Sequence, residues 1–166
     1  MPGIDASRPF RPVNIAVLTV SDTRTEADDK SGAVLVERLT AAGHHLAGRA
    51  IVPDEQDRII AQLRAWIADP QVEVVIASGG TGVTGRDVTP EAFHAVYEKE
   101  IAGFGELFRM LSYQEIGPSA MLSRACAGTA QGKIVVSLPG SENAVRLGMT
   151  KLLLPELGHL VRELSR

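Results

Sequence analysis

Three runs of aliphatic and β-branched residues, VNIAVLTV at 13–20, VEVVIA at 72–77 and KIVVSL at 133–138, each break off at a polar or glycine-rich segment. Runs of six to eight such residues suit strands buried on both faces, the condition of a parallel sheet covered by helices. Between them lie stretches of helical length. Ser31 is the expected cap of a helix whose stripe is Leu35, Leu39 and Ala42, and Gly43 closes it. Leu46–Val52 reads as a weaker strand. Asp54 then stands where a helix cap should, ahead of Ile59, Ile60, Leu63, Trp66 and Ile67 at helical spacing, stopped by Asp69-Pro70. Thr89-Pro90-Glu91 has the form of another helix start, with Thr89 as cap. Strand and helix alternating in this way predict an α/β domain.

Later segments are less regular. In IAGFGELFRMLSYQEIG (101–117) the apolar residues cover more than one stripe, so this helix either lies in the core or gives one face to a second subunit. Ser119–Ala127 is expected to be a short helix, and the C-terminus a long helix interrupted by Pro155. Residues 1–12, with three prolines and a glycine, are expected to be a flexible arm, and 13–166 a single domain.

At 166 residues, 45% apolar and 22% charged, the chain has material for one core. Its 17 basic and 20 acidic residues give a net charge of −3, which does not favour nucleic acid as partner. The single cysteine, Cys126, forms no internal disulfide and reads as a small core residue, which fits a reducing compartment. No run reaches the ~18 apolar residues of a membrane span, and the N-terminus lacks an apolar leader. The expected location is the cytoplasm. The four scattered histidines show no zinc spacing. His44 and His45 should flank a strand, and Glu26, Asp28 and Asp29 should lie in a solvated loop.

Open parallel sheets bind ligands beyond the carboxyl ends of their strands. Three loops are thereby singled out, beginning at Ser21, Ser78 and Pro139. The second holds four glycines in seven residues (79, 80, 82 and 85). Such a loop can turn tightly and bring its N–H groups to an anion, aided by the positive end of the helix beginning near Pro90. Residues 80–85 formally fit GxGxxG, but the helix restarts several residues late and no acidic residue closes a following strand at the expected distance. The match is accidental. No Gly-Lys-Ser/Thr is present, which excludes a P-loop NTPase. Asp87, just past the glycines, is either a surface residue at a helix start or a Mg²⁺ ligand beside bound phosphate. Asp54 has the same two readings, cap or chemistry, and Ser141 can be a cap, an anion ligand or both.

The ordered set of Val-Ser-Asp (20–22), Ile-Val-Pro-Asp-Glu (51–55), Ser-Gly-Gly-Thr-Gly (78–82), Arg-Asp-Val-Thr-Pro-Glu (86–91), Gly-Phe-Gly-Glu (103–106), Leu-Ser-Arg-Ala (122–125) and Leu-Pro-Gly-Ser (138–141) resembles the MoaB and MogA family of molybdenum cofactor biosynthesis proteins. Residues 104–125 look closer to the MoaB branch. The resemblance implies a three-layer α/β/α sandwich with a mixed, mostly parallel sheet, assembled as a trimer or hexamer. It also implies Mg²⁺-dependent transfer of AMP from ATP to the molybdopterin phosphate, with release of pyrophosphate. The alternative within the same family is a pterin-binding protein without transferase activity. Carried over residue by residue, Ser78, Gly79, Gly80, Thr81 and Gly82 form one phosphate- and pterin-binding loop and Pro139, Gly140 and Ser141 the facing wall. Asp54 and Asp87 are the catalytic pair, with Asp87 serving Mg²⁺. Ser21, Asp22, Ser123 and Arg124 lie in further family motifs and complete the candidate site.

Overall fold

The computed structural model describes residues 3–166; Met1 and Pro2 of the expected arm lie outside the described residues. From residue 14 strands and helices alternate: β1 (Asn14–Val20), α1 (Lys30–Ala41), β2 (His45–Val52), α2 (Gln56–Ala68), β3 (Val74–Ser78) and α3 (Thr89–Val96). There follow a two-residue strand β4 (Lys99–Glu100), α4 (Ala102–Ile116), a 3-10 segment (Gly117–Leu122), β5 (Cys126–Ala130) and β6 (Lys133–Leu138). The chain ends in α5 (Glu142–Gly148), a π-helical turn (Met149–Leu153) and α6 (Leu154–Leu164). Among the described residues the strands form one sheet in the order β2-β1-β3-β6-β5-β4. The first four are mutually parallel, and β5 runs antiparallel to both β6 and β4. This is the mixed, mostly parallel sheet expected.

Side chains that alternate across the strands feed two cores. Ile15, Val17, Val74, Ile76, Ile134 and Val136 pack with Leu35, Leu39, Phe108, Val145 and Leu157 on one face. Ala16, Leu18, Val75, Ala77 and Val135 pack with Ile59, Leu63, Ile67 and Phe93 on the other. The period of two along each strand thus produces the three-layer sandwich. The chain leaves β1 toward β2 and then crosses back to β3, so the strand order reverses between β1 and β3. A crevice at such a reversal is the ordinary ligand site of an open α/β sheet.

Several local expectations are corrected. Asp29, not Ser31, caps α1: its carboxylate accepts the Gly32 N–H at 3.0 Å. Far from being solvated, Asp29 is buried, bonded to Thr19 Oγ1 at 2.7 Å and Arg49 at 3.2 Å. Neither Asp54 nor Thr89 caps a helix; Glu55 and Val88 hold those positions and neither caps through its side chain. The short helix expected over 119–127 ends at Leu122, and Cys126 opens β5. The C-terminal helix is broken just before Pro155, as expected, but by a π turn and not by a loop. The π turn before it carries the Leu154 N–H back five residues to the Met149 carbonyl, and the proline occupies the first turn of α6.

Helix α4 has a side in the core and an exposed apolar side. Phe104 and Phe108 are buried, whereas Leu107, Met110, Tyr113 and Ile116 are exposed. Residues 3–12 form no strand or helix, and they are tied down by Arg11 to Glu73 at 2.5 Å and by Phe10 against His44 at 5.2 Å between ring centres. His44 is buried at the entrance to β2 and accepts the Val13 N–H at Nδ1. Cys126 is buried, accepting a bond from the Tyr97 hydroxyl at 3.2 Å. No helix among the described residues is long and apolar enough to cross a membrane.

Candidate functional site

The glycine loop begins where β3 ends. Gly79 has φ = +100° and a side chain there would meet the Val20 carbonyl at 2.3 Å, so both conformation and space demand glycine. Its N–H donates to the Leu138 carbonyl at 3.0 Å. The loop is thereby pinned between the ends of β1 and β6. Gly140 approaches from the facing loop, where a Cβ would stand 3.2 Å from the Gly79 Cα. The Ser78 and Pro139 loops therefore touch.

Gly80 has φ = +69°. A side chain on it would come within 2.3 Å of Thr89 Oγ1 and 3.0 Å of Asp54 Oδ1. The loop after β2 thus delivers its aspartate directly against the glycine loop. The Gly80 carbonyl accepts the Thr89 N–H at 3.1 Å, which joins the loop to the start of α3. The N–H groups of Gly80 and Thr81 donate to no acceptor among the described residues, leaving them available to an anion.

Asp22, from the loop after β1, completes the junction. It accepts the Asp54 N–H at 3.0 Å and two bonds from Arg86, at 3.0 and 2.8 Å. Arg86 and the Asp54 N–H hold the Asp22 carboxyl below the usual range. Asp54 moves the other way: burial raises its pKa first and the charge of Asp22 next, with Asp87 adding least. Asp87 itself is lowered, chiefly by the Thr84 hydroxyl at 2.6 Å, and it also accepts the Thr84 N–H at 2.9 Å.

Arg124 holds the outer side of the loop. It donates to the carbonyls of Gly82 and Asp87, each at 2.8 Å, pairs with Glu91, and its backbone N–H reaches the Thr81 carbonyl at 3.1 Å. A cleft of about 590 Å³ opens on its far side, lined among others by Glu91, His94, Arg109, Met121 and Ser123.

The remaining candidates have more local duties. Ser78 is fully buried with its hydroxyl 3.3 Å from that of Ser31, so its side chain faces the interior. Ser21 accepts the N–H groups of Thr23 and Arg24. Ser141 caps α5 by accepting the Ala144 N–H at 3.2 Å and remains exposed. Ser123 Oγ accepts the Ala125 N–H at 3.4 Å, while its carbonyl accepts from Arg109. Sequence reasoning missed Arg86, Thr84 and Thr89 as parts of the site. A basic residue beside Asp87 and hydroxyls flanking it were the available signals, but their partners lie on other loops.

Among the described residues no three His, Cys, Asp or Glu side chains are arranged as a metal cage. Magnesium, however, takes one or two carboxylates and leaves its other positions to phosphate oxygens and water. Asp54 offers a carboxylate with no side-chain donor, near the charges of Asp22 and Asp87. Such an all-oxygen set fits a cation carried in with a polyphosphate better than a resident ion.

Comparison with known proteins bears on the family and the fold. A family model described as a probable molybdopterin binding domain matches residues 16–159. A Bacillus cereus protein named molybdenum cofactor biosynthesis protein B is 54% identical over 155 residues, spanning 93% of this chain and 92% of its own. A crystal structure of molybdenum cofactor biosynthesis protein B superposes with a TM-score of 0.93 at 53% identity, covering 96% of this chain and 99% of that one. The tungsten cofactor synthesizing protein MoaB from Pyrococcus furiosus superposes at 0.84 with 37% identity, covering 95% and 100%.

Proposed function

This chain belongs to the molybdopterin-binding family of molybdenum cofactor biosynthesis proteins, MoaB and MogA among them, and on that premise we propose that it transfers AMP from ATP to the terminal phosphate of molybdopterin, releasing pyrophosphate. The observation that carries the reading is the convergence at Gly80. A loop with unpaired N–H groups and an aspartate from a neighbouring strand end meet at one point in the crevice of the sheet.

The reaction joins two anions, a phosphate oxygen attacking the α-phosphorus of ATP. The principal tasks are therefore to position the groups and to offset charge. The N–H groups of Gly80 and Thr81 would hold one phosphate group, with Ser141 and Gly140 bounding it from the facing loop. Arg124 and Asp87 keep the loop in shape. Asp54, its pKa raised by burial, would stand nearest the reacting groups, and Asp87 would share with it the Mg²⁺ that accompanies ATP. That ion, when bound, offsets the charge of the triphosphate and of the departing pyrophosphate. No covalent intermediate is needed. We place this activity in the cytoplasm.

Assembly fits the same proposal. Leu107, Met110, Tyr113 and Ile116 recur every three residues on the exposed face of α4, and Met121 and Leu122 extend the patch. An apolar surface of this kind suits a homo-oligomer, a trimer or hexamer.

One observation favours the alternative of pterin binding without transfer. The Asp87 carboxylate is already satisfied by Thr84, and that of Asp22 by Arg86. Pyrophosphate release from MgATP, measured with and without molybdopterin, separates the two. Release that depends on molybdopterin supports transfer, while tight pterin binding with no release supports the alternative.

A further inference from the structure

An unpaired hydroxyl lies at the base of the site. Thr89 is fully buried, and its Oγ1 has no hydrogen-bond partner among the described residues. Leaving a buried donor unsatisfied is unfavourable, and valine would fill the same volume without it. The same Gly80 that abuts Thr89 Oγ1 also abuts Asp54 Oδ1. Asp54 bonds through its backbone N–H to Asp22, while its carboxylate meets the backbone N–H of Asp22 and no side-chain donor. A hydroxyl without a partner and a carboxylate with no side-chain donor thus flank one glycine.

We propose that Thr89 is a positioning residue for Asp54: its hydroxyl donates to Asp54 Oδ1 once an anionic substrate engages the glycine loop. Burial decides that the role is indirect. An oxygen with no exposure does not reach substrate, so it acts through the carboxylate. Two features make the hydroxyl a fixed reference point. Thr89 opens α3 with its N–H tied to the Gly80 carbonyl, and Pro90 beside it is buried. Gly80, having no side chain, leaves the path between the two oxygens to backbone alone. With the 80–81 peptide anchored to Thr89, the Asp54 carboxylate is the group that moves onto the hydroxyl when phosphate binds. The inference rests on the adenylyl-transfer reading for its kinetic consequences, but not for the hydrogen bond itself.

The test compares Thr89→Val, which keeps the shape and removes the donor, with Thr89→Ser, which keeps the donor. Thr89→Val should lower kcat for pyrophosphate release by about 10- to 100-fold, as loss of a group that orients an active carboxylate does. KM for ATP and the Kd for molybdopterin should stay within about twofold, with a melting temperature no lower than that of the parent protein. Thr89→Ser should recover most of kcat. Equal kcat in Thr89→Val and the parent, or no recovery in Thr89→Ser, overturns the assignment. If the parent protein releases no pyrophosphate, the transfer reading fails on its own. The carbon-13 NMR signal of the Asp54 carboxyl in molybdopterin-loaded protein then decides: it should differ from the parent in Thr89→Val and not in Thr89→Ser, and an unchanged signal in both overturns the hydrogen bond.

Discussion

Arg86 grips Asp22 through two nitrogens, at 3.0 and 2.8 Å, across 64 positions of sequence. The pair welds the glycine loop to the loop after β1 and keeps Asp22 ionised well into the acid range. That retained charge matters to Asp54, whose carboxyl is raised first by burial and then by Asp22. Deprotonation of Asp54 is therefore completed above the ~4 of an ordinary aspartate. The acid limb of kcat against pH should lie correspondingly high, and Asp22→Asn should move it to lower pH. A limb that stays in place or moves upward in Asp22→Asn contradicts the charge coupling. The stability sign follows: a carboxyl raised by folding opposes the folded state once ionised, so Asp54→Asn should melt at or above the parent temperature at pH 7.

Gly79→Ala places a Cβ 2.3 Å from the Val20 carbonyl at a φ of +100°. Because the obstacle is backbone at the end of β1, it does not move aside. Thermal or urea unfolding should show a loss on the order of 3 kcal/mol. A loss within 0.5 kcal/mol, roughly that of an ordinary surface change, would show that the loop relaxes freely.

Much of this architecture is legible before any coordinates. β1, β3 and β6 announce themselves because a doubly buried strand must be apolar along its length, and α2 because its stripe faces one core only. β5 escapes notice since Cys-Ala-Gly-Thr-Ala is small, and Gly128 must be, packed against Tyr97. The turn Gln131-Gly132, both at positive φ, was the available hairpin signal, weaker than Asn-Gly. Within the site, the loops and their glycines are legible from their position after strands. The roles of Asp29, Arg86 and Thr89 are not, because each depends on a partner on another element. Asp29 reads as a solvated acid until Thr19 and Arg49 are placed beside it.

Arg124→Lys keeps the charge but not the planar fork that reaches Gly82, Asp87 and Glu91 together. The loop should lose order and molybdopterin should bind about tenfold more weakly, with a modest fall in melting temperature. Calorimetric titration checks this, and unchanged affinity would remove Arg124 from loop support.

Met110→Glu with Tyr113→Lys puts two charges on the exposed face of α4. Light scattering coupled to size exclusion should report three or six chains for the parent and a smaller species for the variant. A monomeric parent would show that this face is not a contact between copies.

The most direct test of the account is pyrophosphate release from MgATP with molybdopterin present, for the parent protein and for Asp54→Asn. The account expects release that requires molybdopterin and falls by two or more orders of magnitude (about 3 kcal/mol in the barrier) in the variant, with folding intact. Equal release from the two proteins would show that the carboxylate held against Gly80 takes no part in the chemistry.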